Sequence, residues 1–504
     1  MMKIFVIGLI AGVAACSACH AQQSIPHVDE LMKQYDLDQN GALAASEVKG
    51  SRYARQYARW DADSDGSVSK EDVIQFRAKF GIAADGSQMS KPSSLPKPTS
   101  PRSLKIPSIE SLLRVDRDHL PTRQLSSNSE YVLRTQPHEA IGDSYVVLTD
   151  HTESNYLESL NRLADHHGGD VIQVKDLARI GESESELKRL RGELRQRKVK
   201  WVAIAPRLET FRENTVLGAW ELLSSLDSDV ELDCQPGFLV ASNFPAFRKL
   251  IDQSINYSSI SSKNIRPFAI SQVQNSTETR SLQKSAMLKS HFKESGIPVP
   301  IVAIYGAQAD AAPRLPGDQI WNLKVESRKK FVQTMPADAT KSLQDSNLVV
   351  MHGHGIPGMS CSLDVDGLPS DMSGKILLSG SCFSASPVAS DLPSMRQAPG
   401  GYEVQPRDAF ILRAIDNGAV VAFGHQRLSS GFPHLYPVLE SWVEGQTVGA
   451  GYQQLINALI EFGGFKSGEF LIQKDQKNNK RLPQNRLLYV VIGDPALQPI
   501  QRSN

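Results

Sequence analysis

The sequence predicts an α/β protein in which a largely parallel sheet is covered by helices and preceded by a small helical unit. Short apolar runs recur along most of the chain, for example at residues 145–148, 348–351, 376–378 and 419–422. Amphipathic stretches at residues 155–165, 185–196 and 245–257 separate several of these runs. Continuous apolar strands that alternate with helices are typical of a parallel sheet buried on both faces. Ligands bind beyond the carboxyl ends of strands in such sheets, so catalytic groups are expected there.

Length and charge set the outer limits of this prediction. The chain has 504 residues, more than one compact core usually holds, so several folding units are expected. Lys plus Arg and Asp plus Glu each number 55, which gives a formal net charge of zero. A balanced charge gives no indication of a nucleic-acid partner, and none is expected.

Residues 1–21 have the pattern of a secretory signal, with a basic start and an apolar run too short to span a bilayer. The sequence Val-Ala-Ala-Cys at residues 13–16 resembles a bacterial lipobox, in which Cys16 is lipidated and becomes the mature N-terminus. Ordinary cleavage after Ala18 or Ala21 is the alternative. Both readings predict an exported protein, periplasmic or on the outer cell surface, that contacts a membrane only through a lipid on Cys16.

Residues 28–80 contain two acidic loops in tandem. Each loop has oxygen-bearing side chains at its first, third and fifth positions and Gly at its sixth, the pattern of an EF-hand calcium loop. The expected ligands are Asp36, Asp38, Asn40, Ala42 and Glu47 in the first loop, and Asp61, Asp63, Asp65, Ser67 and Asp72 in the second.

The second of these loops ends differently from the first. Asp72 stands where a glutamate is usual, and its shorter side chain predicts weaker closure of that loop. The sequence therefore predicts an EF-hand pair that binds Ca²⁺ and mainly stabilises a small domain. An acidic turn pair without metal is the alternative. The following residues, 81–135, are rich in Ser and Pro and are expected to form a semi-extended linker.

Five cysteines occur in the whole chain, two of them within the signal region. The remaining three, Cys234, Cys361 and Cys382, form no even set that would predict a disulfide framework. A free thiol in an exported protein is exposed to oxidation unless it is buried or functional. We expect Cys234 and Cys361 to be structural, because neither has a catalytic partner near it in the sequence.

Two apolar runs end in groups that can carry catalysis. Residues 347–351 lead into a His-Gly-His-Gly segment that contains His354, and residues 375–378 lead to Cys382. If the two runs form neighbouring parallel strands, the imidazole and the thiol meet at one edge of the sheet. Such a pair can generate a thiolate and protonate a leaving amine. The backbone N–H groups of Gly355 and Cys382 are then the expected donors to an oxyanion.

An apolar block ending in His-Gly, followed by one ending in a small residue and Cys, resembles the signature of caspases, legumains and gingipains. The gingipain branch is the most similar, since residues 353–355 and 381–382 match its motifs and residues 487–497 resemble its terminal Gly-Asp-Pro element. The resemblance implies a caspase-like fold, with an N-terminal subdomain at 136–290 and a catalytic subdomain at 291–504. It also implies an endopeptidase acting on protein or peptide substrates, with Cys382 as nucleophile and His354 as base.

Several alternatives remain open at this point. Alternation along a strand would direct His352 to the same face as His354, so His352 could be the base, and only the resemblance chooses His354. The two imidazoles could instead hold a metal, although no further ligands lie at short spacing. Cys382 could be a small core residue. The acyl-enzyme could also pass to an amine, and the protein could be an inactive caspase-fold, calcium-stabilised surface binding module.

Overall fold

The structure is a computed structural model that describes a large part of the chain. The described residues are 27–48, 57, 60, 67–78, 142–272, 288–290, 292–293, 296–298, 301–306, 319–322, 337–356, 358–361, 363–386, 408–427, 435–463, 465–466, 468, 470–471 and 483–502. The chain divides into two compact units, Met1–Lys105 and Ile106–Asn504. The predicted signal at 1–21, with its lipidation site Cys16, and the predicted linker at 81–135 lie outside the described residues.

The described part of the first unit contains two helices and a small antiparallel sheet. Its elements are α1 (Val28–Tyr35), β1 (Ala42–Ala44), β2 (Ser67–Ser69) and α2 (Lys70–Ala78). Leu43 in β1 lies opposite Val68 in β2, and both side chains are buried in one apolar cluster. The Tyr57 hydroxyl donates to the Leu43 carbonyl at 3.0 Å. The two predicted calcium loops are thus joined through the strand in the second half of each.

Among the residues that the structure describes, the second unit is built around one sheet of eleven strands. The strands of this unit in chain order are β3 (Ser144–Thr149), β4 (Asp170–Gln173), β5 (Val199–Ala205), β6 (Gln235–Phe238), β7 (Ile260–Ser261), β8 (Pro267–Gln272), β9 (Ile301–Gly306), β10 (Gln319–Asn322), β11 (Leu348–His352), β12 (Gly355–Ile356), β13 (Met359–Ser360), β14 (Leu363–Asp364), β15 (Ile376–Ser379), β16 (Val421–His425), β17 (Tyr489–Ile492) and β18 (Ile500–Gln501). The order in the large sheet is β10-β9-β8-β11-β15-β16-β17-β6-β5-β3-β4. Strands β12 to β14 form a separate three-stranded sheet, and β18 pairs with β7.

Neighbouring strands of the large sheet run parallel at every pairing except that of β16 with β17. The sheet therefore consists of two blocks of parallel strands, and the strands of one block run opposite to those of the other. Because β8, β11, β15 and β16 belong to the same block, their carboxyl ends lie along the same edge. Strands from both predicted subdomains, 136–290 and 291–504, belong to this sheet, and the boundary between those subdomains stays a prediction.

Helices flank the strands of the second unit. They are α3 (Ser154–His166), α4 (Glu184–Arg197), α5 (Glu213–Leu223), α6 (Phe244–Asn256), α7 (Ala337–Asp345), α8 (Phe410–Asp416), α9 (Leu435–Val443) and α10 (Val448–Gly463). Side-chain caps fix two of the starts, since Ser183 accepts from the Glu186 N–H and Asn243 accepts from the Ala246 N–H. The predicted mostly parallel α/β architecture, covered by helices, is confirmed.

The core follows the apolar runs of the sequence. Every residue of β11, β15, β16 and β17 is buried, as expected for strands covered on both faces. The run predicted at 419–422 forms a strand only from Val421. Gly418, with φ +106°, and Ala419 still donate to carbonyls of α8, so these residues close the helix before the strand begins. Among the described residues, no helix has the length and apolar character that crossing a membrane requires.

Candidate active site

The strands that lead to His354 and Cys382 are neighbours in the large sheet. β11 pairs with β15 in parallel, with Leu348 opposite Ile376 and Met351 opposite Ser379. The chain leaves β11 toward His354 and leaves β15 toward Cys382 at the same edge. This is the strand arrangement that the sequence predicted for the two groups.

Gly355 packs directly against the backbone that carries Cys382. A β-carbon on Gly355 would lie 2.2 Å from the Cys382 carbonyl oxygen and 2.8 Å from the Ser381 β-carbon. These distances are far inside van der Waals contact, so the close approach requires glycine. The residue that follows His354 is therefore held beside the residue proposed as nucleophile.

The two histidines of the His-Gly-His-Gly segment lie in different surroundings. β11 ends at His352, which is only 6% exposed, whereas His354 lies beyond the strand and is exposed. Strand alternation was expected to direct both histidine side chains to the same face of the sheet. This expectation does not hold, because the chain has left the strand before His354. A base that exchanges protons with a substrate must be accessible, and this favours His354 over His352.

Both backbone polar groups of His354 are engaged. Its N–H donates to Oε1 of Gln272 at 2.7 Å, and its carbonyl accepts from the Cys361 N–H at 2.9 Å. Gln272 is the last residue of β8, the strand on the other side of β11. Sequence reasoning missed Gln272, because no motif marks it and its role depends on the order of the strands.

Three buried serines connect the two halves of the site. The hydroxyl of Ser360 lies 2.8 Å from that of Ser379 and donates to that of Ser381 at 2.9 Å. Ser360 lies on the hairpin that follows His354, while Ser379 and Ser381 lead to Cys382. The cluster therefore fixes the hairpin against the strand that carries the thiol.

The three cysteines that the structure describes differ in exposure. Cys234 and Cys361 are buried, whereas Cys382 is partly exposed. Burial raises the pKa of the Cys234 thiol well above its ordinary value, and this thiol donates to the Val199 carbonyl at 3.3 Å. The Cys361 sulfur packs 3.6 Å from the Ser381 hydroxyl. Among the three described cysteines, Cys382 is thus the one that is not buried.

An open cleft of about 740 Å³ lies away from this thiol. Asn347 and Gly374, which line it, precede β11 and β15, so the cleft is at the amino ends of these strands. Its remaining lining comes largely from α6 and includes Arg248, Lys249 and Asp252. The cleft therefore contributes nothing to the chemistry at Cys382.

The first predicted calcium loop brings its acidic side chains together. One carboxylate oxygen each from Asp36, Asp38 and Glu47 lies within 4.8 Å of the others. The sharp turn is made at Gly41, with φ +86°. Asn40 and Ala42 lie in the same turn, where the Ala42 N–H donates to Asn40 Oδ1 at 2.9 Å. A set of converging oxygen ligands around such a turn fits the requirements of Ca²⁺.

Glu47 closes this loop. Its Oε1 accepts from the Leu37 N–H and its Oε2 from the Ala44 N–H, both at 2.7 Å. Backbone hydrogen bonds, foremost the one from Ala44, lower the pKa of the Glu47 carboxyl. The carboxylate is thus held in its charged form at the position where the EF-hand pattern requires a ligand.

The second loop is described only in part, since Asp61, Asp63 and Asp65 lie outside the described residues. Ser67 begins β2, and Asp72 lies in the first turn of α2. Oδ2 of Asp72 accepts from the Ser69 N–H at 2.9 Å and from the Ser69 hydroxyl at 2.7 Å. The N–H bond repeats the one between Ala44 and Glu47 in the first loop.

No protein-family model and no curated protein matches this sequence. Among solved structures, the chain is similar to the Arg-specific cysteine proteinase gingipain R, with 13% identity and a TM-score of 0.46, over 72% of this chain and 79% of that one. It is also similar to the complex of the pro- and mature domains of Porphyromonas gingivalis RgpB, with 12% identity and a TM-score of 0.43, over 70% and 79% of the two chains. Similarities at this level identify no activity, substrate or site residue of the present chain.

Proposed function

We propose that the protein is a cysteine peptidase in which Cys382 is the nucleophile and His354 the base. The observation that carries this proposal is the close approach of Gly355 to the Cys382 backbone, which leaves no room for a β-carbon. The parallel pairing of β11 with β15 and the partial exposure of Cys382 support it further.

The proposed reaction proceeds through an acyl-enzyme. The His354 imidazole takes the thiol proton as the Cys382 sulfur attacks the peptide carbonyl, and the backbone N–H groups of Gly355 and Cys382 donate to the oxyanion. The imidazolium then protonates the leaving amine, and the C–N bond breaks. Water, deprotonated by His354, hydrolyses the thioester and restores the thiol. An amine in place of water would give transpeptidation at the same site.

Covalent labelling of the whole protein tests this proposal. A peptide chloromethyl ketone is expected to alkylate Cys382 quickly, with modification located by mass spectrometry. Labelling is expected to disappear in Cys382→Ser and to fall at least about a hundredfold in His354→Ala, in line with the loss of general-base catalysis. His352→Ala and Cys234→Ser are the matched controls. An unreactive Cys382 in folded protein would favour the alternative, a binding module without activity.

We also propose that the first unit binds Ca²⁺ through the loop of Asp36, Asp38, Asn40, Ala42 and Glu47. Support comes from the convergence of three carboxylates around the turn at Gly41. The second loop, which ends in Asp72, is proposed to bind more weakly. Bound calcium would neutralise the clustered carboxylates and stabilise the unit.

Calorimetric titration with Ca²⁺ tests the calcium site. Glu47→Gln is expected to weaken binding at least about tenfold, because the closing carboxylate is lost. Glu30→Gln, at an exposed position of α1, is the matched control and is expected to leave binding unchanged. Wild-type protein that binds no Ca²⁺ at millimolar concentration would refute the proposal.

We propose in addition that the protein is exported and anchored through a lipid on Cys16. The support is the sequence of residues 1–21 alone. Radiolabelled palmitate is expected to be incorporated into the wild-type protein and not into Cys16→Ser. If the wild-type protein is exported but incorporates no palmitate, ordinary cleavage of the signal after Ala18 or Ala21 is indicated instead.

A further inference from the structure

The turn that carries Cys382 is hydrogen-bonded to the end of β16. The Phe383 N–H donates to the Arg427 carbonyl at 2.8 Å, and the Ala385 N–H donates to the His425 carbonyl at 3.0 Å. Phe383 is buried and has φ +58°, a conformation that a bulky residue rarely adopts without support from its surroundings. The shape of the turn therefore depends on where residues 425–427 lie.

Ser384 forms a second connection between the turn and β16. Its hydroxyl donates to the Ser381 carbonyl at 3.0 Å and accepts from the His425 N–H at 3.2 Å. A β-carbon on Gly424 would lie only 2.8 Å from this hydroxyl oxygen, so glycine permits the approach. The backbone on both sides of Cys382 is thus tied to the strand that neighbours β15.

The side chain of His425 fixes the position of Arg427. It is fully buried, with Nε2 at 2.7 Å from the Asn485 carbonyl. On the other side of the ring, Nδ1 lies 2.7 Å from the Arg427 carbonyl oxygen and 3.0 Å from the Arg427 backbone nitrogen, so both backbone groups of Arg427 face this nitrogen. Burial lowers the pKa of the imidazole to about 4, so the ring is neutral near pH 7.

We propose that His425 is a positioning residue for Cys382: its neutral imidazole holds Arg427, whose carbonyl holds the turn of the nucleophile. The catalytic consequence rests on the proposed peptidase function, whereas the positioning itself does not. Arg427 is also held through its side chain, since its guanidinium pairs with the Glu213 carboxylate, and the Tyr489 ring lies edge-on to the His425 imidazole at 4.5 Å.

Two substitutions separate the hydrogen bonds of His425. Asn places an amide near the Nδ1 position, where its oxygen can accept from the Arg427 N–H or its nitrogen can donate to the Arg427 carbonyl, whereas Gln reaches the Nε2 position and can only donate to the Asn485 carbonyl. The alkylation rate of Cys382 by iodoacetamide, kcat/KM and the melting temperature are measured at pH 7 for both variants. His425→Gln is expected to slow alkylation roughly ten- to a hundredfold, as a small misplacement of a reacting group does. His425→Asn is expected to stay near the wild-type rate.

Amide exchange gives a second readout. Protection of the Phe383 and Ala385 amides is expected to fall in His425→Gln and to stay near the wild-type level in His425→Asn. Equal alkylation rates in both variants, or equal losses that follow the melting temperature, would overturn the proposal. If the wild type cleaves no peptide but the two variants still differ in alkylation, the peptidase function fails and the positioning role stands. If the wild type cleaves peptides and the two variants are alkylated at the same rate, the peptidase function stands and the positioning role fails.

Discussion

Gly355 and Cys382 approach so closely that a β-carbon on the first would overlap the carbonyl oxygen of the second at 2.2 Å. His354 and Cys382 follow different strands, and this contact fixes the distance between their backbones. The glycine after His354 is therefore what permits the close approach of the two segments.

Gly355→Ala is the first prediction from this contact. The added methyl group must displace the Cys382 carbonyl, so kcat/KM is expected to fall on the order of a hundredfold, with about 1–3 kcal/mol lost from the free energy of unfolding. Gly192→Ala is the control, since its β-carbon meets nothing within 4 Å inside α4. The control is expected to gain about 0.5–1 kcal/mol. Unchanged Cys382 alkylation in Gly355→Ala would contradict the proposed geometry.

The elements that carry this site were predictable because they are local. The helices predicted at residues 155–165, 185–196 and 245–257 are observed one residue away at each end as α3, α4 and α6. The apolar runs predicted β11 and β15, and the His and Cys residues that follow these runs indicated which edge of the sheet carries the candidate site. The reversal between β16 and β17 was not predictable, because strand direction depends on long-range pairing that no run of residues encodes.

The contact between Gln272 and His354 was not predictable either, because it also depends on long-range strand pairing. Gln272 is the last residue of an ordinary strand, and only the placement of β8 beside β11 brings it to His354. His425, by contrast, ends an apolar run just as His352 does, so the sequence did carry a signal for it. A buried histidine at a strand end is ambiguous until its hydrogen-bond partners are known.

The serine cluster leads to the second prediction. Ser360→Ala leaves the hydroxyls of Ser379 and Ser381 buried without their shared partner, which is expected to cost about 1–3 kcal/mol of unfolding free energy. Cys382 alkylation is expected to slow about tenfold, because the hairpin after His354 loses its fixed contact. Ser185→Ala, at an exposed position, is the control and is expected to stay within about 0.5 kcal/mol. Urea unfolding measures both. A variant as stable and as reactive as wild type would show that the cluster is dispensable.

The third prediction concerns a buried carboxylate near the end of the chain. Asp494 accepts from the Tyr145 hydroxyl at 3.0 Å, and its other oxygen lies 2.8 Å from Nε2 of His167. His167→Ala leaves this buried carboxylate with one partner fewer and is expected to lower the unfolding free energy by about 1–3 kcal/mol. His166→Ala removes the exposed neighbouring imidazole and is expected to change little. Equal effects of the two substitutions in thermal unfolding would refute the role of the pair.

The fourth prediction concerns Asp233, a fully buried residue that precedes Cys234. Burial raises the pKa of its carboxyl to about 7, and the neighbouring Asp227 and Asp229 add to this. Between about pH 4 and pH 7 the folded state therefore binds a proton that the unfolded state has released. The contribution of Asp233 to the free energy of unfolding is therefore complete below about pH 4 and is lost as the pH rises from about 4 to about 7.

Asp233→Asn removes the titration and keeps the shape. The amide oxygen can still accept from the Leu226 N–H, which now bonds to Oδ2 at 2.8 Å, and the amide nitrogen can donate to Asp227. At pH 8 the variant is expected to exceed the wild type by on the order of 1–3 kcal/mol in unfolding free energy, with little difference near pH 4. Urea unfolding at constant Ca²⁺ across pH 4 to 8 measures this, with Asp165→Asn, at an exposed position of α3, as control. A variant less stable than wild type at pH 8 would mean that Asp233 is charged in the folded protein and that its environment favours the carboxylate.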